Sequence, residues 1–237
     1  MSAIDRRQFH GATARGLAAL TLMVWQRAYA LSLSDLSGAD ASLGVKTALE
    51  KGALAAIGQL GRQDGFLGNP KVRIPLPGYL DKAAGLLRSL GQGQRVDELV
   101  TSLNRAAEAA VPMSKDLLVD AVHTMSVTDA KKILTGGDTS ITDFFADKTR
   151  EPLHIKFLPV VNQATEKVGL VDTYNKVASK AAGMGLMKAS ESNVQEYVTG
   201  KTLDGLYLMI GEEEKKIRQD PVGTGSALLK KVFGALR

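Results

Sequence analysis

Apolar side chains recur at helical spacing along most of this chain, and Gly and Pro cut the recurrence into short runs. Val45, Leu49, Ala53, Ala56, Ile57 and Leu60 fall on one face of a single helix. Val96, Leu99, Val100, Leu103, Ala106, Ala107 and Ala110 make a second stripe, which runs into Val111 and Pro112. Aromatics make up only 5% of the residues, whereas strands draw on aromatic and β-branched side chains and helices on Ala, Leu, Lys and Glu. The pattern predicts an all-α fold, a compact single-domain bundle of about eight to ten helices joined by short links.

Helix breakers set the expected boundaries. Gly61 stops the first helix, and Gly65, Gly68, Pro70, Pro75, Pro77 and Gly78 forbid helix over residues 61–78. Within that Pro/Gly-rich loop, residues 72–76 have the composition of a short extended strand. Helix is expected again over 79–90, and Pro112 suits the first turn of a helix through Leu117, Leu118, Ala121, Val122 and Met125. Ser126 with Asp129 three residues on reads as a helix cap. Gly136 and Gly137 end that short helix, and Asp138 or Thr139 caps the next, which carries Ile141, Phe144 and Phe145. Pro152 predicts a fresh helix through Ile155, Leu158, Val161 and Val168, kinked at Pro159. Further helices are expected over 171–182, 193–219 and 227–236.

The first thirty residues carry an address. Arg6 and Arg7 are followed by Phe9, an apolar run extends from Gly16 to Trp25, and Ala28 and Ala30 flank Tyr29. A charged start, a short apolar stretch and a small-x-small site are the three parts of an export signal. The run is shorter than the roughly 20 residues a membrane span needs. Paired arginines point to the twin-arginine route. Residues 1–30 are thus expected to be removed, leaving 31–42 as a flexible mature N-terminus and 43–237 as one helical domain. Loss of four arginines and one aspartate would lower the net charge from +5 to +2, which gives little reason to expect a nucleic-acid partner. The expected location is the periplasm or another extracytoplasmic space, with no transmembrane segment in the mature chain. With no Cys in the chain, a cysteine lipid anchor, disulfides and thiolate metal sites are excluded, so the protein is not expected to be a lipoprotein.

Four ordered motifs resemble a known family. They are the run Gln59 to Leu67 with Asn69, Pro70 and residues 74–77; the run Leu103 to Glu108 before Val111 and Pro112; the run Asp129 to Leu134 before residues 136–139; and the run Leu203 to Leu206 leading to residues 212–218. Together they resemble the exported bacterial family known as domain of unknown function 4197, over residues 45–233. The resemblance implies one mostly helical exported domain and assigns no catalytic or binding residue. The twin-arginine signal departs from the secretory or lipoprotein signals common in that family.

Candidate chemistry is thin. Asn104, Arg105 and Glu108 lie within about one helical turn among apolar neighbours, either as a buried polar knot or as the lining of a ligand cleft. Arg105 at that border requires a carboxylate if buried, and Asp143, Asp204 and Glu108 are the candidates. Gly136, Gly137, Asp138 and Thr139 read as a turn and cap, or as an anion cradle at a helix start. Asp143, Asp147, Glu151 and His154 could converge only if a helix ran through Pro152. No metal-ligand spacing, no Gly-x-Ser-x-Gly elbow and no P-loop Lys is present, so neither metal nor cofactor is expected. Two functions remain open. One is a non-catalytic binding or interaction protein for an apolar or amphipathic small molecule or an envelope protein, with the 61–78 loop as its contact surface. The other is an enzyme using carboxylates or His154 near the 136–138 turn.

Overall fold

The structure, a computed structural model, describes residues 38–137, 140–166, 175 and 193–220. These residues form α1 (Gly38–Leu60), α2 (Gly78–Ser89), α3 (Gly93–Ala110), a 3-10 turn (Val111–Ser114), α4 (Lys115–His123), α5 (Val127–Thr135), α6 (Ser140–Thr165) and α7 (Val194–Gln219). The fold is all-helical, and no strand occurs among the described residues. The residues expected as an export signal, the helix expected over 171–182 apart from Asn175, the helix expected over 227–236, and Asp138 with Thr139 lie outside the described residues. α1 begins at Gly38, within the stretch expected to be flexible.

The apolar stripes face one shared core. All six α1 stripe residues are buried, as are Val96, Leu99, Leu103, Ala106, Ala107 and Ala110 of α3. α6 and α7 pack along each other, α1 lies against α7, and α3 crosses α6. First and last described helices are therefore neighbours. Local signals set the ends: Ser126 accepts from the Asp129 backbone N–H at 3.1 Å, and the Asp129 carboxylate takes the Ser126 N–H at 3.1 Å. That reciprocal pair satisfies two groups left open at the start of α5. Asn193 caps α7 by accepting from the N–H groups of Gln195 and Glu196.

Two expectations are corrected. α6 is a single helix through both Pro152 and Pro159. Each proline forfeits one bond to the carbonyl four residues earlier, on Lys148 and Ile155, which are both exposed residues. Water can satisfy carbonyls on that side, while Phe145, Thr149, Leu153, Phe157 and Val161 stay in one phase against the core. Because the phase never restarts, Ile155 is 65% exposed rather than part of the core stripe.

Residues 72–76 form no strand. Their burial alternates: Val72, Ile74 and Leu76 are inside, Arg73 and Pro75 outside, the period of an extended segment. A side chain replaces the missing partner strand. Asn104 accepts the Ile74 N–H at 2.8 Å and donates to the Ile74 carbonyl at 2.9 Å. The 61–77 segment is thus a strap laid over α3 and α7.

Candidate functional site

The strap is secured by a polar cluster on α3. Asn104 and Glu108 are 0% and 5% exposed. One Glu108 oxygen accepts the backbone N–H groups of Phe66 and Leu67 at 3.0 and 3.1 Å. The other accepts Arg105 Nη1 at 2.6 Å, and Arg105 Nη2 reaches Asp64 Oδ1 at 2.8 Å. Arg105 is 34% exposed in its side chain. Its bond to Glu108, then that to Asp64, raises its pKa above the usual arginine value. Of the three expected partners, only Glu108 is one. Asp204 pairs with Arg150 at 2.7 Å, and Asp143 lies in a separate cleft described below.

Asp64 is the partner that sequence reasoning missed. It sits at φ 63°, a left-handed conformation that Asp tolerates better than most residues. This turn aims its carboxylate back at α3. Gly65 follows, where a Cβ would lie 2.4 Å from the Leu60 carbonyl oxygen. In the sequence Gly65 reads only as a helix breaker, and the direction of the turn is not visible.

The strap also binds α7. Phe66 is fully buried and lies over Gly205, where a Cβ would be 2.9 Å from the Phe66 ring. The Tyr197 hydroxyl donates to the Pro75 carbonyl at 3.2 Å, and Lys71 pairs with Glu212. Three of the four motifs seen in the sequence therefore meet at the strap. Their side chains are occupied by one another, so the cluster offers a ligand little.

A groove of about 640 Å³ runs between α6 and α7. Thr142, Ala146 and Arg150 line it from α6, and Asp204, Tyr207, Leu208, Gly211, Glu212 and Lys215 recur along one face of α7. Tyr207 forms the floor at 2% exposure, and Leu208 forms a lip at 43%. Thr149 donates its hydroxyl hydrogen to the Phe145 carbonyl at 2.6 Å. The 2.9 Å contact between Tyr207 and Thr149 must then be donated by Tyr207. Burial raises the Tyr207 hydroxyl pKa, so this group stays protonated. Arg150 bridges Asp204 and the Tyr207 ring, with its guanidinium 6.0 Å from the ring centroid. Sequence reasoning missed this groove. At Gly211 the two helices come close, since a Cβ there would lie 2.9 Å from the Thr142 hydroxyl.

The second cleft, about 380 Å³, lies between α5 and the start of α6 and is lined in part by Asp129, Lys132, Ser140, Asp143, Asp147 and Lys148. Ser140 donates to the Ile133 carbonyl at 3.2 Å, and Asp129 is committed to capping α5. Its bonds from the Ser126 hydroxyl and then the Ser126 N–H hold its carboxyl below the usual aspartate range. His154 is elsewhere, eleven residues and about 16 Å along α6 from Asp143, paired with Glu196 at 2.8 Å. Although α6 does continue through Pro152, it does not gather Asp143, Asp147, Glu151 and His154 at one point. No group of acids and histidines among the described residues could hold a metal ion. No helix among them is long and apolar enough to cross a membrane.

The sequence model of the family described as protein of unknown function (DUF4197) matches residues 35–234. No curated protein and no solved structure matches the chain. The chain belongs to the DUF4197 family.

Proposed function

We propose that this member of the family is an exported, non-catalytic binding protein that holds an amphipathic small molecule in the groove between α6 and α7. The observation that carries the reading is the chemistry of that groove. Its floor is the Tyr207 ring, its lip is Leu208, and its volume falls in the range of small-molecule sites. Three of the polar groups it presents are already engaged. Tyr207 donates to Thr149, Asp204 holds Arg150, and Glu212 holds Lys71. A general base must be free to take a proton, and a nucleophile must have such a base beside it. The groove supplies apolar surface with charge at its ends, which suits retention of a ligand and not its conversion. The enzymatic alternative draws less support, because Ser140 and Asp129 in the acidic cleft serve the backbone and His154 lies far from that cleft. Export rests on Arg6, Arg7, Phe9, Ala28 and Ala30.

Native mass spectrometry of protein isolated from the periplasm tests the reading. The expected result is a co-purifying alkyl-chain molecule that Leu208→Asp releases without lowering the melting temperature. Protein that arrives empty and takes up no alkyl probe would overturn it.

A further inference from the structure

The chain leaves α7 at the edge of the groove. Gln219, the last residue of α7, is part of the groove lining. The charges around the groove cancel, with Glu212, Glu213 and Glu214 offset by Lys71, Lys215 and Lys216, and Asp204 by Arg150. Its occupant is therefore selected by apolar surface, which Tyr207 and Leu208 supply, and not by the charge of a head group. Residues 221–237 follow, and their sequence divides in two. Pro221, Gly223 and Gly225 favour a turn over 221–226. Leu228, Leu229, Val232, Phe233 and Leu236 then recur on one helical face, opposite Lys230 and Lys231. A helix over 227–236 is about 15 Å long, and the groove wall from Asp204 to Lys215 measures about 16 Å along α7. The link over 221–226 reaches about 20 Å when extended, enough to turn the chain back along α7.

We infer that residues 227–236 turn back on α7 as an amphipathic helix and dock in the groove, with their apolar face on Leu208 and the Tyr207 ring. The inference shares with the binding reading above the premise that the groove is an apolar binding surface. It adds a resident competitor: a small molecule enters the groove by displacing the tail. The short link favours this occupant over others. It holds the segment at an effective concentration of about millimolar order, which neither a second copy of the chain nor a free amphipath reaches in dilute solution.

Because the chain has no Cys, paired substitutions in the full-length protein test the docking directly. Leu208→Cys is combined in turn with Leu229→Cys, Val232→Cys and Phe233→Cys, and mild oxidation follows. A disulfide needs Cα atoms within about 7 Å. At least one pair should close within the chain about tenfold faster than the same tail position paired with Leu90→Cys, an exposed residue at the end of α2. Equal rates at Leu208 and Leu90, no disulfide at all, or disulfides only between chains overturns the docking. Calorimetric titration with decanol then reads the competition. A tail seated in about nine molecules of ten weakens a competing ligand about tenfold, so Phe233→Asp should bind decanol about tenfold tighter than the parent. Equal binding by parent and variant overturns the competition and leaves groove binding standing. Binding by neither overturns the small-molecule reading, while the disulfides still decide the tail.

Discussion

At the scale of single residues, Glu108 bears the most on stability. Its two oxygens take two strap N–H groups and one guanidinium, and the carboxylate is 5% exposed. Removing it strands buried donors at Phe66 and frees Arg105 from its shorter partner. Glu108→Ala is expected to cost about 3 kcal/mol or more in chemical denaturation. Arg105→Ala should cost visibly less, because that side chain is a third exposed and Glu108 keeps its two backbone donors. Equal losses would show that the ion pair, and not the strap N–H groups, is what Glu108 is for. Asp129 gives a prediction in pH. Its folded pKa is lowered by the Ser126 hydroxyl and N–H, so its contribution is fully present above the ordinary aspartate value of about 4. It is lost as pH falls through the lowered folded value. Acid titration of Ser126→Ala should show about 1 kcal/mol less stability at neutral pH, with the difference from the parent shrinking below pH 4. A gap that stays constant with pH would assign the cap to the hydroxyl alone.

At the scale of elements, the strap depends on how closely α7 lets it approach. Gly205→Ala would place a methyl 2.9 Å from the Phe66 ring and 3.3 Å from Val72 Cβ. Ala favours helix by about 1 kcal/mol over Gly, but Phe66 is fully buried and has nowhere to move. Overpacking should win, with a net loss of about 1–2 kcal/mol and faster hydrogen exchange at the Phe66 and Leu67 amides. Unchanged exchange would place the strap's hold entirely on α3. The helix stripes and the Ser126 cap were legible in the sequence because both are local: a spacing of apolar residues, and a Ser three positions before an acid. α6 was misread because a proline's cost is also local, whereas the packing of Phe145, Leu153 and Phe157 that outweighs it is not. At Asp64 and Gly65 only the break in the helix was legible. That the turn there returns Asp64 to Arg105 depends on where α3 lies, and no spacing encodes that. The groove escaped notice for the same reason, since its lining residues on α6 and α7 face each other only once the two helices are side by side.

At the scale of the whole molecule, the export reading yields its own prediction. Replacing Arg6 and Arg7 with Lys should hold the precursor in the cytoplasm, as read by fractionation and immunoblotting. Normal periplasmic accumulation of that variant would remove the twin-arginine route. The strap adds something about timing. Its anchors come half from α3 and half from α7, and α1 needs α7 to cover its stripe. A nascent chain that has emerged only as far as α6 can pack α1 on α4 and α5 and tie Phe66 to α3, but it lacks the helix that closes over both. Completion of the core has to wait until α7 has been made. The apolar faces that α7 covers stay open until then, the period in which a chaperone has most to hold.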